Sequence, residues 1–163
     1  MKIFLTLLFT IFSSSLAAQV IDSSFYQWTI YEIGEGELEE KKCYMMMRPI
    51  KSQTDQDFRD EPYIMITRYQ NRRIEELSIS AGFEYKLNSK ILISVDESRF
   101  QLPTNEDKAW SQNKDTDVYI IQKMLKSGTV KVRADSSIGT FAIDEYSTKG
   151  IAKSYSRLRT ICK

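Results

Sequence analysis

Four sulfur-containing side chains lie within five residues of the stretch KKCYMMMRPI, residues 41–50. A thiolate with converging thioethers can bind copper, and an activated thiolate can carry out redox chemistry. In a β-strand, however, alternate side chains point to opposite faces, so Met46 lies opposite Cys43. Met45 and Met47 are about 7 Å apart along such a strand. This geometry favours lining a hydrophobic core over binding an ion, so we predict no metal or cofactor.

The chain contains no histidine. Ser-His-Asp and Cys-His catalysis both need an imidazole base, and HExxH zinc chemistry needs two histidines. Neither a GxGxxG nor a P-loop sequence occurs. Carboxylates remain as candidate acids and bases, but the acidic clusters at residues 35–40 and 55–61 are typical of solvated loops. We therefore expect a protein that is not an enzyme, with a hydrolase based on carboxylates as the alternative.

The N-terminus, residues 1–18, has the pattern of a secretory signal peptide. One lysine precedes an apolar run, Ile3 to Phe12, and small residues follow. The run of about ten apolar residues is too short to span a bilayer. We predict removal of residues 1–18 and a single domain at residues 19–163. The mature chain should be exported from the cytoplasm or secreted, and should have no transmembrane segment.

The predicted mature chain has no net charge. Removing residues 1–18 takes away Lys2, so the 23 basic residues become 22 and match the 22 acidic residues. A neutral total provides no long-range attraction to phosphate backbones. We therefore do not expect nucleic acid as a partner.

Export gives the cysteines a structural meaning. The chain has two, Cys43 and Cys162, and an even number in an oxidising compartment indicates a disulfide. Such a bond would close a loop of about 120 residues, a constraint worth roughly 5 kcal/mol at most. Two free buried thiols or an intermolecular bond are the alternatives.

Many short segments alternate apolar and polar residues and are rich in β-branched or aromatic side chains, which predicts strands. They are FYQWTIYEI, CYMMMRP, PYIMITRY, RIEELSIS, GFEYKL, ILISV, SRFQLP, TVKVRAD and IGTFAIDEYS. The polar stretch KSQTDQDFRDE is predicted to be a loop, and Gly82 a bulge or a sharp bend. The pattern predicts a mainly β fold, a β-sandwich of about eight short strands with one short internal helix and a C-terminal helix.

The helices follow from apolar residues at helical spacing. In DVYIIQKMLKSG the predicted buried stripe is Val118, Ile121, Gln122 and Leu125, with Asp115 or Asp117 as the N-cap and Gly128 at the end. In STKGIAKSYSRLRTICK it is Ile151, Tyr155, Leu158 and Cys162, with Ser147 or Thr148 as the cap. Both cysteines thus lie on inward faces, and a disulfide would fasten the last helix onto the sandwich.

Two surface features are candidates for binding. The C-terminal helix carries cations with no acid between them: Lys149, Lys153, Arg157, Arg159 and Lys163. They suit anionic lipid headgroups or an acidic partner, or form a solvated face that complements the helix dipole. Trp110 lies in the polar stretch NEDKAWSQNKD, where it would anchor a partner or plug one end of the sandwich.

A series of landmarks resembles the invasion-associated locus B protein family. They are WTIYE with Trp28, KKCYMM with Cys43, EPYIMITR, ISAGFEYK with Gly82, KAW with Trp110, IQKMLKSG with Gly128, SIGTFAIDEYSTKG with Gly139 and Gly150, and the closing ICK. Their order and spacing carry the resemblance from about Tyr26 to Cys162. The chain has STKGI, with Thr148 and Ile151, where the family pattern has a more apolar SLKGF-like segment.

The resemblance implies an exported bacterial protein with an immunoglobulin-like β-sandwich. It also implies a place in the periplasm or at the outer membrane, a link to host-cell entry, and no accepted enzymatic activity. The expected partner is therefore an unidentified envelope or host protein, with anionic lipid headgroups as a further candidate. A soluble periplasmic ligand-binding protein or an envelope assembly factor is the alternative.

Overall fold

The computed structural model describes residues 19–33, 41–70 and 74–163. The predicted signal peptide at residues 1–18 lies outside these ranges. Within them, neither helix has the length and apolar composition needed to cross a membrane.

Eleven strands and two helices make up the described part of the chain. The strands are β1 (Gln19–Phe25), β2 (Trp28–Ile33), β3 (Lys42–Met47), β4 (Lys51–Thr54), β5 (Tyr63–Tyr69), β6 (Glu75–Ser80), β7 (Lys90–Val95), β8 (Ser98–Asn105), β9 (Lys108–Trp110), β10 (Thr129–Asp135) and β11 (Phe141–Ser147). The helices are α1 (Lys114–Met124), between β9 and β10, and α2 (Ile151–Ile161), after β11.

All strands are antiparallel and form one continuous sheet in the order β1-β2-β3-β5-β6-β9-β8-β7-β10-β11-β4. The first part of β8 pairs with β7, whereas Thr104 and Asn105 pair with β9. The two halves of the sheet therefore meet at β8. Trp28 of β2 donates a hydrogen bond to the carbonyl of Ser147 at the end of β11, at 3.1 Å, and buried side chains from both halves form one core. The predicted mainly β, sandwich-like fold is confirmed.

The strand count differs from the prediction of about eight at identifiable places. The predicted loop KSQTDQDFRDE contains β4, whose four residues are all exposed. This strand pairs with β11 alone, at the edge of the sheet, so it has no apolar alternation to reveal it. Conversely, GFEYKL is not a strand and contributes one isolated bridge, from Tyr85 to Ser136.

The bend predicted at Gly82 is confirmed. Its φ is +76°, and a Cβ atom there would lie 1.9 Å from the carbonyl oxygen of Asp60, so only glycine fits this close approach. Beyond the bend, the Tyr85 hydroxyl accepts a hydrogen bond from the Ala81 N–H at 2.9 Å and donates one to the Ile79 carbonyl at 3.2 Å. The segment therefore folds back onto the end of β6 instead of continuing as a strand.

The predicted stripe and cap of α1 were wrong in part. The buried residues are Asp117, Ile120, Ile121 and Met124, whereas Val118 is 41% exposed. Apolar residues occur on more than one face of this helix, and packing on β6 and β7 selects a face that includes an aspartate. The N-cap is Asn113, whose side chain accepts from the Asp115 N–H at 2.8 Å.

The predicted disulfide between Cys43 and Cys162 is confirmed, and both cysteines are completely buried. The stripe of α2 is also confirmed, since Ile151, Tyr155 and Leu158 are buried where the helix packs on β2 and β3. The N-cap is Gly150 in place of Ser147 or Thr148. The disulfide therefore joins the end of α2 to the sheet, as the sequence indicated.

Candidate functional site

A cleft of about 640 Å³ lies on the outer face of β5 and β6, between these strands, β9 and the start of α1. Cross-strand neighbours form its base, because Ser78 of β6 pairs with Trp110 of β9 on one side and with Met65 of β5 on the other. Glu76 of β6 pairs with Thr67 of β5 one step along the same face. The cleft thus lies within the size range of small-ligand sites.

The shortness of β9 creates the cleft. This strand pairs with β6 only at Ser78 and Ile79, so the edge of β6 before these residues has no strand beside it. Helix α1 packs there, and the Asp117 carboxylate accepts a hydrogen bond from the backbone N–H of Leu77. Asp117 therefore satisfies a strand-edge donor that β9 does not reach.

Asp117 is 3% exposed, and its Oδ1 atom is buried without a hydrogen-bond partner. Burial raises the pKa of this carboxyl to about 7, while the Leu77 N–H lowers the pKa and the Glu76 carboxylate raises it further. The acid therefore changes its protonation state near neutral pH, which is unusual for an aspartate.

Two further polar groups line the cleft with Asp117. The Ser78 hydroxyl oxygen is also buried without a hydrogen-bond partner, and Glu76 is exposed and accepts a hydrogen bond from the Tyr69 hydroxyl at 3.0 Å. A buried polar atom without a partner is uncommon and costs stability. The cleft therefore combines an exposed carboxylate, a buried carboxylate and an unsatisfied hydroxyl.

Trp110 is 40% exposed and lines this cleft. The polar residues around Trp110 in the sequence had indicated it as a candidate for binding. The sequence interpretation missed the role of Asp117, which was considered only as a helix cap. Its spacing of three and four residues from Ile120 and Ile121 was the available signal, because it places the acid on an apolar face.

The predicted basic surface of α2 is separate from this cleft, since none of its residues lines it. Arg157 forms a two-contact ion pair with Asp22 of β1, and Arg159 lies 3.6 Å from the Glu75 carboxylate. The Lys149 ammonium group lies 4.4 Å from the centre of the Tyr26 ring. Acids distant in sequence therefore partly neutralise a surface that looks uniformly basic in the sequence.

Lys149 and Lys153 are exposed, and no carboxylate in the described part of the chain forms an ion pair with either of them. These two lysines, and Lys163, which is likewise exposed and without an ion pair among the described residues, remain available to an anionic partner. Trp110, the other predicted interaction residue, lies on β9 and not with them.

The buried acid makes stability depend on pH. The folded-state pKa of about 7 lies above the ordinary value of 3.8, so ionising Asp117 costs stability increasingly as the pH rises from about 4 to 7, and the cost stays constant above that range. We expect wild type to lose about 2 to 4 kcal/mol relative to Asp117→Asn between pH 4 and pH 8. Urea unfolding of both proteins across this range measures the difference.

Asp115→Asn is the matched control, because Asp115 is exposed on the same helix turn and does not line the cleft. Its stability should follow that of wild type at every pH. The charged groups on the cleft near Asp117 are Glu76 and Lys114, and both are retained in the two variants. A gap between wild type and Asp117→Asn that does not change with pH would contradict the assignment.

The fold was compared with known proteins. It is similar to the crystal structure of invasion associated protein b from Bartonella henselae, with a TM-score of 0.58 and 11% sequence identity; the match covers 85% of this chain and 96% of that chain. The chain matches no protein-family model, and no curated protein matches it in sequence. At this identity the likeness shows a shared fold.

Proposed function

We propose that this chain is an exported, non-catalytic envelope protein of the invasion-associated locus B type, which acts by binding other envelope or host components. The observation that carries the proposal is the structural likeness to invasion associated protein b, which spans nearly all of that chain. The order and spacing of the sequence landmarks from about Tyr26 to Cys162 resemble the same family and support the proposal.

The disulfide supports the exported location. The Cys43–Cys162 bond is buried and joins two residues 119 positions apart, which is typical of a structural bond. Such bonds form and persist outside the reducing cytoplasm. Together with the predicted signal peptide at residues 1–18, the bond favours folding in the periplasm or beyond.

The cleft contains a feature that favours a second class, a hydrolase that uses carboxylates alone. Asp117, with a pKa of about 7, has the protonation behaviour of a general acid, and Glu76 lines the same cleft. Proton transfer needs direct contact with the substrate, however, and the Asp117 Oδ1 atom is buried. The pair therefore supports a binding role better than a catalytic one.

The surface of α2 that carries Lys149 and Lys153 is the proposed contact with an anionic envelope component. These lysines are exposed, and attraction between them and acidic headgroups or proteins would weaken as salt is added. Arg157 contributes less because Asp22 already neutralises it, whereas Arg159 shares the Glu75 carboxylate with the buried Arg68.

Fractionation of the source bacterium tests the proposal. We expect the envelope fraction to contain a chain shortened at about residue 18, with no thiol that alkylates before reduction. Salt should release the Lys149→Glu/Lys153→Glu variant at lower concentration than wild type. The matched control is Lys86→Glu/Lys90→Glu, which makes the same charge change at exposed residues away from α2 and should behave as wild type.

Two outcomes would contradict the proposal. A full-length chain in the cytosol with two reactive thiols would exclude export. Equal salt release of wild type and the α2 variant would exclude this surface as the contact.

A further inference from the structure

We propose that the cleft between β5, β6, β9 and α1 binds organic ammonium ions that carry an apolar stem. The inference goes beyond the proposed envelope role and does not depend on it, because it rests on the residues of the cleft alone. Those that carry it are Glu76, Asp117, Trp110 and the apolar side chains beside them.

The charges of the cleft favour a cation. Glu76 presents an exposed carboxylate at its surface. Asp117 lines the same cleft, and its Oδ1 atom is buried without a hydrogen-bond partner. An ionised buried carboxylate without a counter-charge is unfavourable. Among the described residues, Lys114 is the one base that lines the cleft, so in this part of the chain two acids face one base. An ammonium group that bonds to Glu76 would also supply the missing counter-charge to Asp117.

The remaining lining suits an apolar stem. Trp110 lines the cleft and is 40% exposed. Its indole ring can contact the apolar stem, and an indole is also the best aromatic partner for an ammonium group above its face. Met65 and Ile74 add apolar surface in the same cleft. A neutral sugar would use the Trp110 face, but it would bring no positive charge to Glu76 and Asp117.

Binding of a cation should release protons. An ammonium ion stabilises the ionised form of Asp117 and so lowers its pKa from about 7, which expels the proton that part of the molecules carry at neutral pH. Among the described residues, the charged groups that line the cleft with this carboxyl are Glu76 of β6 and Lys114 of its own helix. Glu75 of β6 and Lys90 of β7 do not line it. A neutral ligand would leave the protonation state nearly unchanged.

Titration calorimetry of the mature protein with hexylammonium chloride, 1-hexanol, hexanoate and cellobiose tests the inference at pH 7. We expect hexylammonium to bind at least tenfold more tightly than hexanol, and hexanoate to bind more weakly still. The heat of hexylammonium binding should differ between phosphate and Tris buffers because protons are released. This buffer comparison needs no variant, so it stands even if a substitution disturbs folding.

Variants of the cleft sharpen the test. Asp117→Asn should lower hexylammonium affinity about tenfold and remove the buffer dependence, whereas the matched control Asp115→Asn should stay within about twofold of wild type. Lys114→Gln should raise the affinity, because it removes a positive charge from the cleft lining. Equal binding of hexanol and hexylammonium, a preference for cellobiose, unchanged affinity in Asp117→Asn, or no binding of any probe at millimolar concentration would each overturn the inference.

Discussion

Replacing Cys43 and Cys162 together with alanine is expected to lower the free energy of unfolding by about 3 to 5 kcal/mol. The bond joins residues 119 positions apart, so its loss frees a very long loop in the unfolded chain, and the chain-entropy model assigns such a loop nearly 5 kcal/mol. Urea unfolding of wild type and the double variant measures the change, with wild type in reductant as a second form of the same experiment.

Removing the disulfide should destabilise α2 before the strands. This helix is held by Ile151, Tyr155 and Leu158 in the core and by Arg68, whose Nε donates to the Cys162 carbonyl at 2.8 Å. Without the disulfide, the end of the helix can leave the sheet while the strands remain paired. Amide hydrogen exchange should therefore accelerate in α2 by a larger factor than in β5 and β6.

The reductant supplies the control. The chain has two cysteines and both are in this bond, so the alanine variant should be insensitive to reductant while wild type should move to the stability of the variant. If exchange accelerated equally in every strand and in α2, the helix would not be an independently opening unit, and the disulfide would act on the whole fold.

The elements predicted correctly are those whose sequence carries a local period and a buried face. Strand β3 and helix α2 present their apolar residues at spacings of two and of three or four, and this also placed both cysteines inward. Strand β4 could not be found in this way, because all of its residues are exposed. Its place is set by pairing with β11, which is distant in sequence.

The cleft was predictable only in part. Trp110 could be identified from its polar neighbourhood, but its role depends on the register that places it beside Ser78 of β6. Asp117 becomes a cleft residue because α1 docks on β6 through a face that its own sequence does not single out. The basic surface of α2 shows the same limit, since Asp22 comes to Arg157 from 135 residues away.

Arg59 is the clearest case in which tertiary structure overrides the local sequence. It lies in a polar stretch that predicted a solvated loop, yet its side chain is only 10% exposed. Its two guanidinium nitrogens reach the two carboxylate oxygens of Asp144 at 2.8 and 2.7 Å, and one of them also donates to the Ala81 carbonyl at 3.0 Å. The Asp144 carboxylate is 1% exposed and also accepts from Ser52 at 2.6 Å.

Arg59→Gln is therefore expected to lower the free energy of unfolding by about 3 to 5 kcal/mol, because it leaves the buried Asp144 charge without its partner. The double variant Arg59→Met/Asp144→Leu should lose less than Arg59→Gln, since removing both charges leaves no uncompensated ion. Urea unfolding of wild type, Arg59→Met, Asp144→Leu and the double variant forms a mutant cycle that gives the coupling energy of the pair.

An exposed ion pair provides the matched control for Arg59. Arg133 and Asp135 are each 51% exposed and 3.4 Å apart, so Arg133→Gln should change the free energy of unfolding by less than about 1 kcal/mol. Arg59 lies in the connection before β5 and donates to Asp144 of β11 and to the Ala81 carbonyl after β6. Strand β4 pairs with β11, and its Ser52 also bonds to Asp144. The loss of Arg59 should therefore also raise hydrogen exchange in β4. A small effect of Arg59→Gln, similar to that of Arg133→Gln, would mean that water reaches Asp144 and that the pair is not a buried link between these elements.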